Sequence, residues 1–194
     1  MIGYLKGKLA FKDPTFVIID VNGVGYEVKI SLYTFSKIKN EESCLLHTYL
    51  HVKEDSQTLF GFSEVAEKSI FLQLIGINGV GPNTAMMINS SLTVDEIKSA
   101  IVNEQVGVIQ KVKGIGSKTA HRIILELKDK LKREGFEGEA SIAASGSKRS
   151  EALSALITLG INKAVAEKGV DRMLKTHGDD ISLEDLIKQV LKQA

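Results

Sequence analysis

Asn78-Gly79-Val80-Gly81-Pro82-Asn83-Thr84-Ala85 and Lys113-Gly114-Ile115-Gly116-Ser117-Lys118-Thr119-Ala120 are two copies of one pattern, 35 residues apart. Both glycines, the threonine and the alanine coincide, and Ile88 matches Ile123 at the same offset. An apolar run of helical spacing precedes each Gly-apolar-Gly and another follows, so each copy reads as helix, tight hairpin, helix. The two glycines let the backbone take left-handed torsions and let another chain come close, while Val80 or Ile115 between them anchors the turn in a core. The helix that follows begins with amides that have no intrahelical partner. Those donors and the positive end of the helix dipole suit a phosphate oxygen, and Lys118 and Arg122, one turn apart, add charge. Such a site reads a backbone rather than a base sequence. Taken singly, each turn is an ordinary way to join two helices, since glycine closes many of them. Gly116-Ser117-Lys118-Thr119 is superficially similar to the end of a nucleotide-binding P-loop, but Ser117 separates the glycine from Lys-Thr and the preceding segment is helical.

Charge is concentrated beside the second copy. The whole chain has 25 basic and 24 acidic residues for a net +1, which favours no partner. By segment, residues 1–64 carry seven basic against eight acidic, 65–133 ten against six, 134–150 two against three, and 151–194 six against seven. Only the middle is basic, and within it Lys111, Lys113, Lys118, Arg122, Lys128, Lys130, Lys132 and Arg133 face only Glu126 and Asp129.

Outward from the repeat, the amino-terminal third is rich in β-branched and aromatic residues. The turn Asn22-Gly23 lies between the runs Phe16 to Val21 and Val24 to Ile30, a hairpin signal. Further strands are expected at Ile2 to Phe11, Leu45 to Val52 and Thr58 to Phe62, giving a small barrel of the oligonucleotide-binding (OB) type over residues 1–63. Helical spacing takes over from Glu64, with Val65, Phe71, Leu74 and Ile75 on one face, and Thr93 to Glu96 forms a capping box before Ile97, Ile101 and Val102. The helical domain is therefore placed at 64–134. Residues 135–149 hold too little apolar surface to offset the entropy of ordering and read as a flexible linker. Ser150, Asn162 and Ser182 can cap three short helices, Gly160 and Gly178 can end the first two, and Asp185 completes a box with Ser182; these make a three-helix module at 150–194. The fold class is α+β and multidomain.

There is no run of 18 apolar residues and no secretory leader pattern, which points to an unexported, cytoplasmic protein. Cys44 is expected to be a buried packing residue. His47, His51, His121 and His177 have no cysteine partner and no zinc-protease spacing, so neither metal nor cofactor is expected. No catalytic set can be nominated.

With the repeat, the barrel, the linker and the tail in this order, the chain resembles the RuvA family, and the paired turns resemble helix-hairpin-helix motifs. Local matches are the opening Met1-Ile2-Gly3-Tyr4-Leu5-Lys6-Gly7, the run from Glu54-Asp55 to Leu59-Phe60-Gly61-Phe62, Gly114-Ile115-Gly116 with Thr119-Ala120, Arg122-Ile123, and Glu126-Leu127-Lys128; they span essentially the whole chain. The resemblance implies a non-catalytic subunit that binds four-way (Holliday) DNA junctions and recruits the RuvB ATPase ring for branch migration in recombination and repair. The RuvC resolvase is a further implied partner. It implies a homotetramer, or an octamer on DNA, whose hairpins grip phosphates in the minor groove. It places Gly79, Gly81, Asn83, Gly114, Gly116, Lys118, Thr119 and Arg122 at those contacts. Asn83 stands where the family commonly has a basic residue, so a looser first hairpin is expected. Glu54 and Asp55, read from the residues alone as solvated turn acids, become by resemblance an acidic pin that repels phosphates at the crossover. Leu156 and Leu159 are the candidate contacts to RuvB.

Two other readings stay open at this point. Repair enzymes of nuclease or glycosylase type also use such hairpins, but need a base pocket or a metal-binding carboxylate cluster. A structural interaction protein needs neither.

Overall fold

Residues 1–38, 43–133, 148–178 and 181–193 are described by the computed structural model. They divide into two units, 1–133 and 134–194.

In the first unit, five strands close into a barrel in the order β1-β2-β3-β5-β4: β1 (Tyr4–Lys12), β2 (Phe16–Val21), β3 (Val24–Ile30), β4 (Ser43–Val52) and β5 (Gln57–Phe62). All neighbours pair antiparallel except β3 and β5, which run parallel. The Asn22-Gly23 turn forms as expected, with φ of 53° and 87° at its two residues, the left-handed pair that a tight two-residue hairpin requires. Inward side chains Leu5, Val17, Ile19, Val28, Ile30, Cys44 and Leu46 make the barrel core. Cys44 is buried there, as expected.

The sequence reading missed α1 (Leu32–Lys37), a six-residue helix between β3 and β4. Its signal was Ser31, whose side chain accepts from the Thr34 amide as an N-cap. Ser31 is also one end of a polar lock. Its hydroxyl and that of Thr34 (2.6 Å) both donate to the carboxylate of Glu67, which is 1% exposed in the next helix. The Asn89 side-chain amide donates to the Glu67 carbonyl at 3.3 Å.

Burial pushes the Glu67 carboxyl above the usual glutamate range, against the opposing pull of the two hydroxyls. Its raised value means that the fold prefers the protonated acid. That stabilisation is complete below the ordinary glutamate value and is lost as pH rises through the raised one. Thermal melts of Glu67→Gln across the acid-to-neutral range are expected to show a flatter decline with rising pH than the parent.

Helices α2 (Val65–Ile75), α3 (Pro82–Ser91), α4 (Val94–Val102), α5 (Val106–Gln110) and α6 (Ser117–Arg133) follow. The capping box at Thr93 and Glu96 is present, with both reciprocal bonds. Phe71 and Leu74 are fully buried, but Val65 and Val102 are exposed. Those two were expected inside; each sits at a helix end beyond the reach of the shared core. That core joins Phe60 and Phe62 of the barrel to Phe71, Leu74, Ile88, Ile101, Ile123 and Leu127 of the helices.

In the second unit, α7 (Lys148–Thr158), α8 (Lys163–His177) and α9 (Leu183–Gln193) pack on one another. Asn162 caps α8 by accepting from the Ala164 amide, and Gly178 closes it at φ 67°. Ser182 and Asp185 bond to each other at the start of α9. Ser150 is corrected from a cap to a position inside the first turn of α7, because the helix starts earlier. Most of the expected linker, 135–149, lies outside the described residues, but Lys148 and Arg149 are helical. Arg149 makes a two-point contact with Asp171 at 2.7 and 3.1 Å, which ties α7 to α8. Leu156 is corrected as well. It is fully buried among Ala152, Ala166, Val170 and Leu186, so it packs this module, whereas Leu159 is 60% exposed.

Candidate nucleic-acid interface

The two glycine turns are superimposable in their hydrogen bonds. Gly76 donates to Leu72 and Lys111 to Gly107, both at 3.3 Å; Ile77 donates to Leu74 and Val112 to Ile109; Val80 donates to Ile77 and Ile115 to Val112. Each following helix opens the same way, with Ala85 donating to Gly81 and Ala120 to Gly116, both at 3.0 Å. Every one of these pairs keeps the 35-residue offset of the sequence. Gly79 and Gly114 take φ of 89° and 86°, the left-handed torsion that glycine accepts without strain.

The alternation seen in the sequence sorts inside from outside. Ile77, Val80, Val112 and Ile115 point into the core, while Asn78, Gly79, Gly81, Lys113, Gly114 and Gly116 are exposed. Nothing lies within 4 Å of the place a side chain would occupy at Gly81, Gly114 or Gly116. Both helix starts therefore face solvent with amides that lack intrahelical partners, and no side chain caps α3. Pro82 has no N–H, so the start of α3 offers fewer donors than that of α6.

The sequence-nominated residues do not all stand where expected. Lys118 and Asn83 are exposed on the first turns of α6 and α3, and Thr84 and Thr119 are half-buried beside them. Arg122 does not simply flank its own turn. Its Nη1 donates to the carbonyl of Asn78, in the other hairpin, at 2.9 Å. Two of the remaining cations are engaged locally: Lys128 pairs with Glu104, and the Lys130 ammonium approaches Gly76 at the carbonyl end of α2, where a positive charge meets the helix dipole. Lys111 and Lys113, which the site prediction omitted, are exposed on the second hairpin with no ion pair among the described residues. Their signal was their place on either side of Val112. Glu54 and Asp55 sit exposed in the turn between β4 and β5, which Lys53 and Ser56 close with a 2.8 Å backbone bond.

Chemically, exposed helix-start amides beside exposed lysines suit an anionic partner. Among the described residues no group of three or more His, Cys, Asp or Glu stands together.

Known proteins place the geometry in a family. The description "RuvA N terminal domain" matches residues 1–61, "SAM-like Helix-hairpin-helix tandem" residues 71–129, and "RuvA, C-terminal domain" residues 147–194. The chain is 53% identical over 199 residues to the Holliday junction branch migration complex subunit RuvA of Cytophaga hutchinsonii, with all of both chains covered. The chain belongs to the RuvA family. The protein of the same name from Christiangramia forsetii is 48% identical, again with both chains fully covered, and that from Amoebophilus asiaticus is 46% identical over 99% of this chain. The RuvA-family architecture thus joins a closed five-stranded barrel to tandem hairpins within one unit here, with the three-helix module as a second unit.

Proposed function

We propose that this chain binds Holliday junctions through their phosphates and serves as the non-catalytic, DNA-binding partner of the RuvB motor in branch migration. The observation that carries the reading is the pair of exposed helix starts, built by identical hairpin bonds beside the basic stretch. Gly79, Gly81, Asn83, Gly114, Gly116, Lys118, Thr119 and Arg122 form the contact surface, joined by Lys111 and Lys113. The backbone is what such a surface meets, so four-way shape rather than base sequence governs recognition.

Glu54 and Asp55 act as the acidic pin. Placed near a crossover, two exposed carboxylates repel phosphates and disfavour a closed, stacked junction. The chain works as a homotetramer in the cytoplasm, with an octamer on DNA and a RuvC contact as extensions of the same assembly. Leu159, with the neighbouring exposed Ile157, offers the three-helix module's apolar contact to RuvB. No helix among the described residues is long and apolar enough to cross a membrane.

Gel shifts with a four-way junction, a linear duplex and single strands test the proposal. Strong preference for the junction, with no strand cleavage or base release, is expected; equal binding to all three overturns it. Lys118→Ala is expected to weaken junction binding similarly across base sequences and to lower the salt slope by about one per engaged subunit. A sequence-selective loss contradicts backbone recognition.

A further inference from the structure

The first hairpin has no cation of its own. Between Lys68 and Lys98 the sequence contains neither lysine nor arginine, so the whole segment from the middle of α2 to the start of α4 carries no positive side chain. Its helix start is also the poorer in amides because Pro82 opens it. The second hairpin, by contrast, has Lys111, Lys113 and Lys118 close at hand. On this account only one of the two matched turns is equipped to hold a phosphate.

The side-chain geometry changes that. Arg122, although it belongs to α6, reaches 44 residues back to bond the Asn78 carbonyl, and, apart from the chain neighbours of Gly79, its Nη1 is the nearest heavy atom, at 3.8 Å, to where a Gly79 side chain would begin. Its guanidinium therefore lies against the first turn. One of its five N–H donors goes to Asn78, which fixes the group in place and leaves four. A guanidinium held by one edge still has a planar fork with which to meet a phosphate. Lys130 also approaches the first motif, but at the carbonyl end of α2, where it offsets negative partial charge.

We propose that Arg122 is the phosphate-binding cation of the first hairpin, lent to it across the pair by the helix of the second. The inference rests on the phosphate-contact reading given above and deepens it. Asn83, at the exposed first turn of α3, then marks a position where charge is dispensable because Arg122 already supplies it.

Equilibrium binding of a fluorescent four-way junction, measured over a range of salt, tests this with five full-length proteins: the parent, Arg122→Gln, Asn83→Lys, the double variant carrying both, and Lys118→Gln. Glutamine removes the charge and keeps N–H donors but ends two bonds short of the Arg122 Nη1, so thermal melts check that the turn stays in place. Arg122→Gln is expected to weaken binding by about tenfold or more and to lower the salt slope. Asn83→Lys is expected to gain little in the parent but to restore most of the loss in the Arg122→Gln background, because a local lysine then replaces the lent one. An equal gain in both backgrounds overturns the proposal, as does an Arg122→Gln protein that binds like the parent or loses affinity with its salt slope intact. Lys118→Gln separates the two levels of the reading. Weakened binding there beside unaltered Arg122→Gln binding rejects only the lent cation, whereas no effect of either Lys118→Gln or Arg122→Gln rejects the phosphate-binding hairpins altogether.

Discussion

Replacing Gly79 and Gly114 together by alanine is expected to remove junction binding at protein concentrations where the parent saturates, an effect of about 100-fold or more, while the barrel still folds. Both positions have φ near 90°, and an L-residue held in the left-handed region costs roughly 1–2 kcal/mol. Steric crowding is not the cause at Gly114, where nothing lies within 4 Å, and is slight at Gly79. The strain is in the backbone, and it relaxes by rotating the peptide planes that the turn bonds from Val80 to Ile77 and from Ile115 to Val112 hold in place. Rotation swings the helix-start amides away from a shared phosphate geometry. Each charge-assisted contact contributes roughly 1.5–3 kcal/mol, so losing one at each hairpin accounts for the expected size. Gly107→Ala supplies the control, because Gly107 lies within α5, outside the contact surface, with open space around it, and alanine in a helix is unstrained. Anisotropy titrations of the parent, the double variant and the control read the difference. Parent-like affinity in the Gly79/Gly114 double variant would mean that the turns are joints and nothing more.

How much of this was legible beforehand depended on the range of the interaction. Short-range chemistry read correctly: Asn22-Gly23 as a left-handed turn, the Thr93 and Glu96 box, the Asn162 cap, and the inward Val80 and Ile115. Each of these is decided within a few residues, where steric rules and caps leave little choice. The duplicated pattern read correctly because two copies fold under the same local constraints. What escaped was decided at a distance. Helix α1 is too short for periodicity to register, and it owes its place to a carboxylate 36 residues away from Ser31. Arg122 carries no mark in its own neighbourhood that it bonds to the Asn78 carbonyl. Leu156 and Leu159 look alike in the sequence, yet one is core and the other exposed, since three short helices leave the choice of inner face to the way they pack.

The geometry linking the acidic turn to the hairpins depends most on Phe71. Its ring centroid lies 4.9 Å from that of Phe62, 5.3 Å from Phe60 and 5.6 Å from Tyr49, so one α2 side chain meets three aromatics on the two strands that carry Glu54 and Asp55 between them. The same helix runs directly into the first hairpin. Phe71 is fully buried, and truncating such a side chain to alanine removes both its transfer energy and its packing, roughly 3–5 kcal/mol. For a unit of this size the unfolding midpoint should drop by roughly 10–20 °C. A mutation far from any phosphate should also affect function. Once the cluster is emptied, α2 loses its fixed seat on the barrel, and the hairpins lose register with the acidic turn before the barrel itself melts. The expected result for Phe71→Ala is junction binding that falls off at temperatures where the far-ultraviolet signal of the strands is still intact, with Phe71→Leu between variant and parent. Coincident loss of binding and of strand signal would show instead that barrel and hairpins unfold as one cooperative body, and that Phe71 contributes stability alone.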